Sequence, residues 1–214
     1  MANWCAQNAT GAYLRTIKMG KKGKEPDVAE FISALAGGNN AQLMVEVCGS
    51  IAGPTTLALV AAAHQTGGRV VCILPGIKEV QLSKSELSGH LNHVELVIGD
   101  PHILLINQYK DVDFLVVDCR INDQEVIFKT GQQNGALVIG YNALYMVPSR
   151  KELGHFLPIG EGLLVSDVPK TLSTRGYGTA PTRKKSTWIV KIDKCTGEEH
   201  VFRVICPQQR IIQA

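Results

Sequence analysis

A chain of 214 residues, 45 % of them hydrophobic, can bury one core and is too short for two large ones, so one domain is expected. No stretch approaches the roughly 20 uninterrupted apolar residues that cross a bilayer, and MANWCAQNATGAYLRT lacks the charged-then-apolar order of a secretory leader. A membrane or secreted protein is therefore not expected, and the cytoplasm or nucleus is. The net charge of +3 divides unevenly: residues 1–24 carry +5, residues 25–168 carry −8 and residues 169–214 carry +6. Either these basic arms are solvated or folded back on the acidic middle, or they meet an acidic partner such as nucleic acid, although no nucleic-acid motif accompanies them. Six cysteines (Cys5, Cys48, Cys72, Cys119, Cys195, Cys206) include no C-x-x-C pair, and Cys48 and Cys72 sit inside apolar runs, which favours reduced thiols over disulfides or a zinc site.

Residues 1–24 read as a basic N-terminal arm or helix ahead of an α/β domain over 25–214. DVAEFISALA places Val28, Phe31, Ile32 and Leu35 on one helical face. From residue 43, short β-branched runs alternate with longer amphipathic stretches, the pattern of a doubly wound, mostly parallel sheet with helices on both faces. The expected strands are 43–48, 70–74, 94–99, 112–118 and 136–142. The first helix between them, TTLALVAAAHQT, starts after Pro54 and stops at Gly67-Gly68. Others are KEVQLSKSELSGHL, HILLINQY and QEVIFKTGQ, and LPIGEGLLVSDV has a strand at its end. Residues 169–187 read as an exposed basic loop, in which Ser186 follows Arg183-Lys184-Lys185 as an accessible kinase target. A hairpin over 188–206 is expected to finish the sheet in antiparallel fashion.

In such a sheet, ligands bind beyond the carboxyl ends of the strands near the point where strand order reverses, which puts EVCGSIAGP at the mouth of any site. Its glycines let backbone approach a ligand, and the next helix offers unpaired N–H groups. A P-loop is excluded, because GSIAGPTT is one residue short and has Pro54 where the lysine is needed, and G-x-G-x-x-G is absent. The looser glycine loop of methyltransferases remains.

Further segments fit that reading in order: EPDVAEFISALAGGNNAQLMVEV, GGRVVCI, VDFLVVD, GALVIGYNAL and LPIGEGLLV. Together, residues 25–167 resemble the small-molecule O-methyltransferases of the caffeoyl-CoA and catechol type, and the chain is most similar to a plant family of uncharacterised proteins built on this methyltransferase-like fold. The resemblance implies a Rossmann-like domain dependent on S-adenosylmethionine. It assigns cofactor contacts to Glu46 on the first strand, to Gly53 and Thr55 at the helix start, and to Gly49, displaced by one because Cys48 stands where the family has glycine. The carboxylate that accepts the ribose hydroxyls falls on Leu74; Glu79 either swings back to replace it or is a solvated helix residue. Asp100 either meets the adenine or caps the helix at Pro101. His102 is either a general base or structural. Asp118 matches the first metal-binding aspartate, but Asn142 and Ala143 stand at the second aspartate and the asparagine, and Ile121 at the nearby lysine. No metal site is expected. Cys119, beside Asp118, is not expected to be nucleophilic. Two functions follow: a metal-independent S-adenosylmethionine-dependent methyltransferase, or a non-catalytic binding or regulatory protein for a small molecule or a protein partner.

Overall fold

The computed structural model describes residues 4–19, 27–146 and 153–166, together with the backbone of 186–192 and 199–205. Residues 1–171 form one compact unit and 172–214 a second. In the first, α1 (Ala6–Met19) and α2 (Val28–Gly38) precede β1 (Leu43–Val47), α3 (Pro54–Thr66), β2 (Arg69–Leu74), α4 (Ile77–Glu86) and β3 (Val94–Ile98). Then come α5 (Pro101–Asn107), β4 (Phe114–Asp118), α6 (Gln124–Gln133), β5 (Leu137–Tyr141), β6 (His155–Leu157) and β7 (Leu163–Val165). The sheet order is β3-β2-β1-β4-β5-β7-β6. The first five of these strands are parallel, and β7 and β6 close the sheet antiparallel. The five expected parallel strands are all present.

The helix limits follow the local chemistry. Asp27 caps α2 by accepting the Ala29 N–H, while Glu30 reaches back to the Asp27 N–H. Pro54 opens α3, and Gly67, at φ 72°, ends it in the left-handed conformation that glycine adopts without a Cβ clash. At the amino ends of the strands, the Asp113 carboxylate accepts the N–H groups of Gln42 at 2.8 Å and Leu43 at 3.1 Å, which fixes β1 against β4.

Alternation along the strands divides the core. Met44, Val70, Phe114, Val116 and Ile139 face Ala12 of α1, Ile32 of α2 and Leu59 of α3. Val45, Val71, Leu115 and Val138 face Leu105, Ile127 and Phe128 of α5 and α6. A smaller cluster joins Cys48, Cys72 and Leu74 to Ala52 and to Val80 of α4. Among the described residues no helix is long and apolar enough to cross a membrane.

At the chain ends the structure adds detail to what is expected. Residues 6–19 are a helix packed on α2 and α3, with Ala9 and Ala12 buried. The expected hairpin is present: strands β8 (Ser186–Ile192) and β9 (Glu199–Ile205) of the second unit pair antiparallel with each other. Residues 155–165 build the antiparallel edge of the main sheet: the Gly160-Glu161-Gly162 turn folds β7 back along β6, and β7 pairs on its other side with β5. Ser186 opens β8 opposite Ile205. The rest of the expected basic loop, with Arg183, Lys184 and Lys185, and Lys21, Lys22 and Lys24 of the first arm lie outside the described residues.

Small residues let α1 approach α2 closely: a Cβ on Gly37 would lie 2.7 Å from the Asn8 carbonyl oxygen and 2.9 Å from the Ala12 Cβ. Gly37→Val should therefore push α1 away and destabilise the chain by about 1–3 kcal/mol, the usual range for overpacking. Urea unfolding checks this, and an unchanged midpoint would show that α1 is not docked there.

Candidate functional site

The site is built where β1 ends. Glu46 lies in the central part of the parallel sheet with no solvent exposure. One carboxylate oxygen accepts the Thr55 hydroxyl, the other accepts the Thr56 hydroxyl at 2.5 Å, and Thr56 Oγ1 in turn accepts the Gly53 N–H at 3.1 Å. Strand β1 is thus tied to the first turn of α3. Burial pushes the Glu46 carboxyl above the usual carboxylate range, and the threonine hydroxyls offset only part of that push. Burial and the nearby Glu46 also push the Tyr141 phenol upward.

The loop between them is pinned at both ends. The Cys48 N–H donates to the Ile73 carbonyl at 3.0 Å, extending the β1–β2 ladder. The Ala52 N–H donates to Ser83 Oγ of α4 at 2.9 Å. Between these points the loop backbone drops onto the end of β4: a Cβ on Gly49 would come within 2.8 Å of Asp118 Oδ2 and 3.0 Å of Ile121 Cγ2. A larger residue there would have to displace the Asp118 carboxylate or the Ile121 side chain. At Gly53, by contrast, an added Cβ would meet nothing within 4 Å.

Asp118 ends β4, and its oxygens are already engaged. Oδ1 accepts the Arg120 N–H and Nε–H, both at 3.1 Å, and the Asn142 Nδ2–H at 2.8 Å; Oδ2 accepts Arg120 Nη2–H at 2.9 Å. Burial alone would raise this carboxyl, but the bonds from Arg120 and Asn142 outweigh it and hold the group below the usual range. Asn142 reaches Asp118 from the end of β5 with φ 57°, a left-handed conformation that asparagine tolerates. Burial, and secondarily Asp118, push the Cys119 thiol up to about 12.

In front of these strand ends lies a cleft of about 500 Å³. Ile73, Leu74 and Pro75 form one wall, Ile121, Val126 and Ile127 another, and Gly99, Asp100 and His102 the rim. Of the six residues assigned to a cofactor, Gly49 and Asp100 line this cleft. Asp100 also caps α5, accepting the Ile103 N–H at 3.0 Å. Glu46 and Thr55 are bound to each other, Gly53 caps α3, and Asp118 lies under Arg120. Leu74 belongs to the core cluster with Cys48 and Cys72. Glu79 folds over the start of its own helix, its Oε2 within 2.9 Å of where a Gly76 Cβ would be. His102 Nδ1 lies 2.9 Å from Thr130 Oγ1.

The element missed from sequence is Arg120. A basic residue two positions after a strand-end aspartate is a usable signal for an internal counter-ion, since a tight turn returns the side chain to the carboxylate.

The two carboxylates give opposite pH signatures. Glu46, held up by burial, contributes stability that is full below its unfolded value of about 4.3 and is lost as pH rises through its folded value. Glu46→Gln should therefore gain on the wild type as pH rises from about 4 to about 8; urea midpoints that run parallel over that range would refute this. Asp118, held down, contributes stability that is present above about pH 3.9 and is lost as pH falls through its folded value. Because half of the Arg120 side chain is exposed, Arg120→Ala should cost about 1–3 kcal/mol at neutral pH, less than breaking a fully buried pair. The deficit should shrink in acid, and a pH-independent deficit would indicate lost packing instead.

No curated protein matches the sequence. Among solved structures, the chain is similar to a methyltransferase from Geobacter sulfurreducens, with 24 % identity over 74 % of this chain and 87 % of that one and a TM-score of 0.56. It is also similar to a protein from Staphylococcus aureus assigned as a caffeoyl-CoA O-methyltransferase, with 19 % identity over 75 % of this chain and 92 % of that one and a TM-score of 0.53. At those identities the likeness establishes the fold, a Rossmann-like sheet of the S-adenosylmethionine-dependent methyltransferase kind. A family model matches residues 2–204, nearly the whole chain, and the chain therefore belongs to the family described as "Protein of unknown function (DUF1442)".

Proposed function

We propose that this methyltransferase-fold protein holds S-adenosylmethionine or S-adenosylhomocysteine in the cleft, chiefly by the adenosyl half and without a divalent ion. The cleft carries the reading: it has about 500 Å³ and lies beyond the carboxyl ends of β1, β2 and β4. That is the point of reversed strand order where open α/β sheets take their ligands. Ile73, Leu74 and Ile121 would exclude water from a flat purine, while Asp100 and the Gly99 backbone supply polar groups at the rim. When bound, S-adenosylmethionine would supply a sulfonium-linked methyl group, which S-adenosylhomocysteine lacks.

Two features limit the affinity and the chemistry. The buried Leu74 gives the ribose hydroxyls no acceptor. The strand ends also do not fit a divalent cation, because Asp118 already carries the Arg120 guanidinium and the Asn142 amide, and Ala143 has no donor. A second reading, a non-catalytic binding or regulatory protein, is favoured by the contact of Gly49 with Asp118, which closes the space between the loop and the end of β4.

Calorimetric titration of the full chain with S-adenosylmethionine, S-adenosylhomocysteine and adenosine tests both. One or two missing charge-assisted hydrogen bonds, about 1.5–3 kcal/mol each, should weaken binding about tenfold to a few hundredfold relative to a site with the ribose carboxylate. Adenosine should retain most of the affinity, magnesium should not change it, and Val126→Trp, at a half-exposed cleft position, should abolish it. Magnesium-dependent, low-micromolar binding would overturn the proposal. Metal-free transfer of the methyl group to a catechol-type acceptor would select the enzyme over the binding protein.

A further inference from the structure

Apart from the adenosyl reading, the structure brings three buried groups together. Cys48 Sγ, Cys72 Sγ and a Glu46 carboxylate oxygen lie within 4.8 Å of one another. Cys72 is paired with Glu46 in the β1–β2 register, and Cys48 follows one step beyond the end of β1, so both cysteine side chains point to the same face of the sheet. Their sulfurs are 3.0 Å apart. That separation falls between a disulfide bond, about 2.05 Å, and two thiolates on one tetrahedral zinc, about 3.8 Å apart for bonds of about 2.3 Å.

Ligand supply decides between the two. The sulfurs sit with Ala52, Leu74, Val80 and Leu87 in an apolar cluster, and both Glu46 oxygens are taken by threonine hydroxyls. A zinc ion there would meet two sulfurs and no ready third or fourth ligand, whereas a structural zinc site is closed by four. A disulfide is neutral and removes two weakly bonded thiols. We propose that Cys48 and Cys72 are a modification site, a dithiol that closes reversibly to an intramolecular disulfide through exchange with a small disulfide entering by the cleft.

The order of events follows from access. Cys48 lines the cleft, whereas Cys72 is completely buried. The Cys48 thiolate attacks one sulfur of the small disulfide, and the other sulfur leaves as a thiolate and takes up a proton. The Cys72 thiolate then attacks Cys48 Sγ, the sulfurs closing by about 1 Å to bond length, and the second small thiol leaves in the same way. The protein gives up two electrons and two protons, and the small disulfide is reduced to two thiols. The bond to Cys72 and burial both push the Cys48 thiol well up, so exchange is slow at neutral pH and speeds up as pH rises. The closed form fastens the cofactor loop covalently to β2.

The test is to equilibrate the full chain in mixtures of reduced and oxidised glutathione, quench with acid, alkylate the remaining thiols under denaturing conditions and digest with trypsin without reduction. Cleavage after Lys24, Arg69 and Lys78 releases Cys48 in peptide 25–69 and Cys72 in peptide 70–78. The two peptides are expected to appear joined, increasingly so as the oxidised share rises, and to separate on treatment with dithiothreitol. Cys72→Ser should stop at glutathione on Cys48, and Cys48→Ser should leave Cys72 unmodified. The proposal fails if wild-type Cys48 and Cys72 are both alkylated at every ratio while Cys5 takes up glutathione. It also fails if the purified protein carries one zinc per chain that Cys48→Ser loses.

Discussion

The link between Glu46 and the two threonines of α3 is the interaction on which the rest of the site depends. A carboxylate inside the central strand of a parallel sheet is among the least favourable placements in a fold, and it is tolerable only when its oxygens are hydrogen-bonded. Thr55 and Thr56 meet that need from the first helical turn, so the bonds that satisfy the carboxylate also set where α3 begins over the sheet. With the helix start fixed, the six residues from Cys48 to Gly53 have one short path, tied to β2 through Ile73 and to α4 through Ser83. The shape of the cleft wall, the meeting of the two sulfurs and the pressing of Gly49 on Asp118 all follow from that path.

The second carboxylate is answered differently. Glu46 is surrounded by neutral hydroxyls and held toward its protonated form, while Asp118 faces a guanidinium and an amide and is held ionised. Arg120 therefore provides internally the positive charge that a metal ion would bring to such a strand end. Asn142 adds a neutral amide to the same carboxylate, so its oxygens are filled without a second charge.

Most of the sheet was legible in the sequence because two independent signals coincided: β-branched runs for the strands, and Pro54 and Gly67 marking where the first helix between them starts and stops. The α1 helix was read mainly as charge, because its buried face is made of alanines and a threonine, which carry little hydrophobic periodicity. The partner of the C-terminal hairpin was not legible: alternation in WIVKID and HVFRVIC specifies two paired strands but not which sheet they join. The three-residue strand His155–Leu157 is too short to give a pattern. At the site, single residues could be placed at strand ends from sequence alone, but not what they bond to. The use of both Glu46 oxygens by adjacent threonines and the return of Arg120 onto Asp118 depend on where α3 starts and on a tight turn.

The two outer strands of the main sheet, as described, bear on association between chains. An open sheet exposes unpaired N–H and C=O groups along its borders, and long, flat, apolar borders recruit further strands. Here β6 has three residues, and β3 carries Glu95 as the second residue of VELVI, its carboxylate accepting the Tyr109 hydroxyl at 2.9 Å. A charge held at that point by a buried tyrosine interrupts an otherwise apolar five-residue run. Tyr109, buried in the core, thus also fixes a carboxylate on an outer strand, where a charged side chain disfavours pairing with a further strand.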